Sequence, residues 1–305
     1  MTKSNTQKTL IVVGGPTASG KTSLGISLAN HFKTEILSAD SRQFYKELNI
    51  GVARPTPAEL ALAKHHFIAH KSIHDYYSAG EYERDAINLL KTLFEKRDYV
   101  VMVGGSGLFI NAVLHGFHPA PKDDGTVRKK IDDLHANTGI SGLVERLTEL
   151  DPEYVQVIDI HNPQRLMRAL ERVMLSGKTH KELTEPIRAQ RSFNILEIAI
   201  SHDREALYER INQRVDLMMQ DGLLDEVKSL AEFKHLNALK TVGYSELFSH
   251  LNGEKTLEEA IDKIKQNTRR YAKRQNTWFK NKSYSVWFKG DEFDKVVAFV
   301  DGTRH

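Results

Sequence analysis

The octet Gly15-Pro16-Thr17-Ala18-Ser19-Gly20-Lys21-Thr22 carries the most specific chemistry in the chain. It satisfies G-x-x-x-x-G-K-[ST] and lies between a β-branched run at 9–13 and a segment of helical spacing that continues to about residue 32. The glycines let the backbone curl so that successive N–H groups face an anion, and the following helix adds the positive end of its dipole. Lys21 supplies a full charge, and Thr22 offers a hydroxyl to Mg2+. This predicts a grip on a phosphate or diphosphate. A look-alike, Ser176-Gly177-Lys178-Thr179, has Arg172 where the first glycine should stand and no strand before it. It reads as a helix ending at Gly177.

The groups that would act beside this loop are few. Nucleoside triphosphate hydrolases hold Mg2+ with an acid at the end of a second apolar strand. Here the apolar run at 99–103 ends in Gly104-Gly105-Ser106, without a carboxylate. The acid best placed after an apolar run is Asp40, in Ser38-Ala39-Asp40-Ser41. The pattern favours a loop that holds a leaving group over one that drives hydrolysis. At the carboxyl end of its strand, Asp40 could bind Mg2+, act as a general base, or cap the helix expected after it. Ser106 could hydrogen-bond a phosphate oxygen or serve as an ordinary N-cap. His65, His66, His70 and His74 cluster in sequence, but their spacing matches no usual metal-ligand pattern.

These residues need a scaffold. Apolar runs at 9–13, 35–38, 99–103 and 194–200, separated by helical patterns such as 79–97, predict an α/β fold with a buried parallel sheet flanked by helices. Composition shifts near Gly116, and 119–191 shows polar helical patterns without a convincing strand. The expected organisation is a catalytic core from 1–118 and 192–305 with a helical insertion domain at 119–191. Further helices are expected at 204–220 and 223–233. A long one starts at Thr256, where Glu259 completes a capping-box spacing. That last helix bears Lys263, Lys265, Arg269, Arg270, Lys273, Arg274, Lys280 and Lys282 with no acid among them, and Tyr271, Trp278 and Phe279 interleaved. Cations suit a phosphate backbone and aromatic rings suit unpaired bases, although a solvated basic helix packing its rings on the core would look the same.

Composition sets the outer limits. The 305 residues are 40% apolar and 27% charged, with net charge +3 and no cysteine. Disulfides and thiolate zinc sites are thereby excluded. No apolar run approaches the roughly 18–20 residues that span a bilayer, so no membrane association is expected. The polar first residues show no signal-peptide pattern, and a cytoplasmic address is expected.

Six stretches together resemble the tRNA dimethylallyltransferase (tRNA isopentenyltransferase) family. They are VVGGPTASGKTSL, SADSRQFYKELNIGVARP, VMVGGSGLFINAVLHG, NPQRLMRALE, LKTVGYSEL and AKRQNTWF, in the family's order and over nearly the whole chain. The resemblance implies a P-loop NTPase-like core with a helical insertion, in a monomeric, Mg2+-dependent enzyme. Its donor would be dimethylallyl diphosphate. Its acceptor would be the 6-amino group of the adenosine 3′ of the anticodon (tRNA position 37), reached through the anticodon stem-loop. Residues 17–22 would hold diphosphate and Asp40 would be the general base, with Ser106 and Arg128 beside the reacting groups. Contacts to tRNA would come from Asp40, Ser41, Arg42 and Gln43, then Gln164, Arg165, Leu166, Met167 and Arg168. The remaining contacts would come from Lys240, Thr241, Val242, Gly243, Tyr244 and Ser245, and from Lys273, Arg274, Gln275, Trp278 and Lys280. Ser106 stands where the family commonly has threonine, and Lys240 where it often has arginine; both keep the chemical character.

Three other readings share the loop. An isopentenyltransferase acting on free adenine nucleotides would not need the insertion or the basic helix. A P-loop kinase would use the loop for ATP, with arginines in a lid. A P-loop switch protein would bind RNA and leave it chemically unchanged.

Overall fold

The computed structural model describes residues 8–116, 125–184 and 189–303. In chain order the regular elements begin with β1 (Thr9–Gly14), α1 (Lys21–His31), β2 (Ile36–Ser38), α2 (Pro57–Leu62), β3 (His65–His66), α3 (Ala79–Phe94), β4 (Tyr99–Val103) and α4 (Gly107–His115). Four helices follow: α5 (Thr126–Leu150), α6 (Pro152–Val155), α7 (Pro163–Ser176) and α8 (His180–Thr184). The chain continues through β5 (Asn194–Ser201), α9 (Arg204–Gln220), α10 (Leu223–Ser229), α11 (Tyr244–Leu251), α12 (Leu257–Lys282), β6 (Val286–Lys289) and α13 (Phe293–Gly302). Two compact units result, one from 1–114 with 191–305 and one from 115–190.

The first unit is built on a six-stranded sheet in the order β3-β2-β4-β1-β5-β6, with all pairings parallel. Side chains alternate across a strand, so each buried strand feeds two cores. Leu10, Val12, Val100 and Met102 face one layer with α3, α4 and Phe279 of α12. Ile11, Val13, Tyr99 and Val101 face the other, with α1 and α13. A third core joins α9, α10, α11 and the start of α12 to Tyr45 and Leu48. The parallel sheet puts the carboxyl ends of β1, β2 and β4 together, where 14–20, 39–43 and 104–106 emerge.

Several expected boundaries hold: β4 spans 99–103, α9 spans 204–220, and Thr256 with Glu259 forms a complete capping box at the start of α12. Others shift. The helix expected over 79–97 ends at Phe94, and the one expected over 223–233 breaks at Leu230, whose backbone leaves the helical region before a 3-10 turn at Ala231–Phe233. The edge strand β6 was not anticipated, because its apolar run of Val286, Trp287 and Phe288 is only three residues long. In the second unit every described regular element is a helix, and α5 packs on α7 through Ile131, Leu143, Leu147, Leu166 and Leu170. Gly177 adopts left-handed φ and donates its N–H to Val173, closing α7, as its look-alike motif implied.

Candidate active site

The phosphate loop connects β1 to α1 and bends through three residues of positive φ: Gly15 at 140°, Ala18 at 61° and Gly20 at 86°. A side chain at Gly15 would also crowd Ser19 Oγ, 3.3 Å from a Cβ placed there. The loop is braced from outside. His202 Nε2 lies 2.6 Å from the Ser19 carbonyl, and the Thr17 N–H donates to Gln275 Oε1 over 2.9 Å. Gln275 Nε2 in turn donates to the Gly105 carbonyl at 2.9 Å, tying the loop after β4 to the loop after β1. Ser19 Oγ is buried with no hydrogen-bond partner, the kind of atom a bound oxyanion satisfies.

Lys21, Thr22 and Asp40 line one cavity of about 970 Å3 with Ser41, Arg210, Arg214, Tyr271 and Arg274. Lys21 folds back so that Nζ donates to the Pro16 carbonyl at 2.5 Å. Burial pushes its ammonium down to about 7, against the opposing pull of Asp40 and with the aid of Arg214. The Asp40 carboxylate accepts the Arg42 N–H at 3.0 Å. No helix follows directly, so Asp40 caps a turn and not the helix its sequence position allowed. Ser106 accepts the Ser41 N–H at 3.1 Å and donates to Ser41 Oγ at 3.3 Å. The Tyr271 hydroxyl also bonds to Ser106. Burial first, and Asp40 second, push this phenol up to about 12.

Two cations of this site were not read from the sequence. Arg210 and Arg214 sit one turn apart on α9; Arg214 donates to Thr17 Oγ1 at 3.3 Å, and Arg210 lies beside Gly20. Burial, then the charge of Arg210, lowers the pKa of Arg214. Their four-residue spacing on one helix face was the available signal. Arg54, also at the cavity, is different. It donates to the carbonyls of Tyr45, Lys46 and Leu48 and so holds its own loop.

The residues expected at RNA fall into distinct groups. Lys240, Thr241, Val242, Gly243 and Ser245 line the cavity with Arg42 and Gln43. Arg42 donates to the carbonyls of Asn237 and Ala238, and Gln43 to those of Val52 and Ala53, so both brace the rim. On α12, Lys273, Arg274 and Lys280 are exposed, while Lys265 pairs with Asp216 and Arg269 bonds Asn212. Trp278 is partly buried and would meet any side chain placed at Gly107. Four expectations are corrected. The Tyr244 side chain is fully buried and donates to Glu226, and Gln275 is buried between the two loops. Leu166 and Met167 form the inner face of α7, because that helix must turn one side to its core. Gln164, Arg165 and Arg168 occupy its exposed face. Arg128, in the same unit, pairs with Asp132 and Glu171.

The four histidines hold no common centre. His66 pairs with Glu35, His65 bonds the Ala63 carbonyl, His70 lies against Phe44, Phe67 and Tyr77, and His74 meets Phe233. Among the described residues no group of three or more His, Asp or Glu converges on a metal position. No described helix is long and apolar enough to cross a membrane.

This arrangement can hold a polyanion between the phosphate loop and the cations Lys21, Arg210 and Arg214, with the Asp40 carboxylate in the same cavity to take a proton. A family model described as IPP transferase matches residues 43–282. The tRNA dimethylallyltransferase of Christiangramia forsetii is 51% identical over 94% of this chain and 95% of its own. That of Flavobacterium johnsoniae is 49% identical over 96% and 97%. A solved full-length tRNA isopentenylpyrophosphate transferase from Bacillus halodurans superimposes with a TM-score of 0.72 at 34% identity, over 98% of this chain and 97% of its own. With matches of this extent, the chain belongs to the IPP transferase family.

Proposed function

We propose that the protein transfers the dimethylallyl group of dimethylallyl diphosphate to the 6-amino group of the adenosine 3′ of the anticodon in tRNA. The observation that carries this reading is one cavity holding the phosphate loop, Asp40 and, from the basic helix α12, Tyr271 and Arg274. A donor cradle, a proton acceptor and an RNA-type surface thus meet within the first unit.

In the proposed reaction the adenine nitrogen attacks the allylic carbon, the carbon–oxygen bond breaks, and diphosphate leaves. The exocyclic amine is a weak nucleophile because its lone pair is delocalised, and Asp40 takes its proton as the new bond forms. Charge grows on the departing diphosphate, which the phosphate loop, Lys21, Arg210 and Arg214, lining the same cavity, are proposed to stabilise. Ser106, with Tyr271 beside it, holds the backbone N–H of Ser41 and so the turn that aims Asp40. The oxygen donors Thr22 and Asp40 line the same cavity and suit Mg2+, a hard cation that keeps few protein ligands. Mg2+ bound there would neutralise diphosphate charge.

Lys273, Arg274, Lys280 and Trp278 on α12, and Gln164, Arg165 and Arg168 on α7, are the proposed RNA contacts, made by a monomer to the anticodon stem-loop. Bases of that loop are accessible to a protein once unstacked. The test is mass spectrometry of nucleosides from tRNA incubated with the protein, Mg2+ and dimethylallyl diphosphate. A gain of one C5H8 unit on adenosine is expected. An unchanged adenosine, with the triphosphate of added ATP consumed instead, would favour the kinase reading.

A further inference from the structure

Gln275 stands apart from its neighbours on α12. It is 7% exposed in a helix otherwise rich in exposed cations, and both ends of its amide are engaged. Its oxygen takes the Thr17 N–H of the phosphate loop; its nitrogen binds the Gly105 carbonyl of the loop that leads to Ser106. The fit is tight, since a Cβ at Gly105 would lie 2.3 Å from that nitrogen. One turn further along, Phe279 presses on Gly14, where a Cβ would lie 2.2 Å from the ring. The same two turns present Lys273, Arg274 and Lys280 outward.

The helix that carries the outer cations of α12 is therefore joined to the phosphate loop through Gln275. Each end of the amide is committed to one of the two loops, so its first role is to hold them together. We infer that Gln275 is a positioning residue that couples RNA bound on α12 to the anion-binding geometry of residues 15–20. The inference rests on the reading of α12 as an RNA face. Binding that fixes α12 fixes the Thr17–Gln275–Gly105 bridge, and a loop ordered in advance binds diphosphate more tightly. Linkage makes the effect reciprocal: diphosphate must tighten RNA binding by the same factor.

The experiment uses the full chain, inorganic diphosphate in magnesium buffer as the unreactive anion, and an unmodified anticodon stem-loop RNA. Diphosphate affinity is measured with and without saturating RNA. The wild type should show a ratio of at least about fivefold, the lower end of ordinary coupling. Gln275→Met fills nearly the same space without either hydrogen bond and should bring the ratio close to one. Ala260→Gly weakens the same helix in the separate core below α11 and should leave the ratio at the wild-type value. A wild-type ratio of one, or a Gln275→Met ratio equal to wild type, overturns the inference while leaving RNA transfer intact. A ratio lost equally in Ala260→Gly also overturns it, since helix stability alone would then be responsible. Failure of the wild type to bind the stem-loop defeats the underlying functional reading as well.

Discussion

Raising the pH should loosen the grip on the donor, and Lys21 sets how much. In the free protein its ammonium is pushed down from 10.5 to about 7 by burial. A diphosphate placed against it restores the preference for charge, so the bound form titrates at or above the ordinary lysine value. Between those two values binding takes up a proton, and affinity falls by up to tenfold per pH unit. At pH 7 half of the free lysine is already charged; at pH 9 almost none is. Taking about 7 for the free form and 10.5 for the bound form, the association constant should fall about fifty-fold from pH 7 to pH 9, or about 2.3 kcal/mol. The ligand contributes little, because a phosphate's second ionisation lies near about 6 and is largely complete in this range. Isothermal calorimetry with dimethylallyl diphosphate in two buffers of different ionisation enthalpy would count the protons directly. Uptake of about 0.9 proton at pH 8 is expected. Lys21→Arg, charged throughout, should bind with a flat profile. A wild-type affinity unchanged from pH 7 to 9, without proton uptake, would refute the reasoning.

Asp40→Asn should lower kcat by about 10²–10⁴-fold, the usual worth of a positioned base, while stem-loop affinity in a filter-binding assay stays within about twofold. Gly104→Ala would place a Cβ 2.3 Å from the Ala39 carbonyl oxygen and 2.6 Å from its carbon, immovable backbone next to Asp40. A stability loss of about 1–3 kcal/mol by urea melting, with a lower kcat, is expected; an unperturbed kcat would mean the turn can shift without consequence. Lys273→Ala should weaken RNA binding at every sequence and make the logarithmic salt dependence shallower by about one. An unchanged slope would show that Lys273 touches no phosphate.

What the sequence disclosed depended on how local each signal was. The phosphate loop was legible because its glycines, lysine and flanking strand are contiguous, and β4 because five apolar residues in a row, four of them buried, leave no polar alternation. Asp40 was found by position at a strand end, but its role as a turn cap required the fold. Arg210 and Arg214 were missed because they reach the loop from nearly 200 positions away, as the Arg214–Thr17 bond shows with a separation of 197 residues. Gln275 and Tyr244 were placed among the RNA contacts because the resemblance marks continuous runs; burial is decided by which turn of the helix meets a partner, and one sequence does not name that partner. In α7 the resemblance marked a continuous run, while helical periodicity splits it into Arg165 and Arg168 outside and Leu166 and Met167 inside.

The central place of β1 in the sheet governs when the site can exist. One of its edges pairs with β4, which the ribosome supplies early, but the other waits for β5, which begins at Asn194 after the whole second unit. Phe279, pressed against Gly14, arrives later still. A nascent chain carrying the complete phosphate motif therefore has no framework to hold it, and long-range parallel pairing of this kind is slow to close. Competence for the anion comes as one of the last events of synthesis, and truncated products, though they contain every residue of the motif, should be unable to sequester the cell's diphosphates.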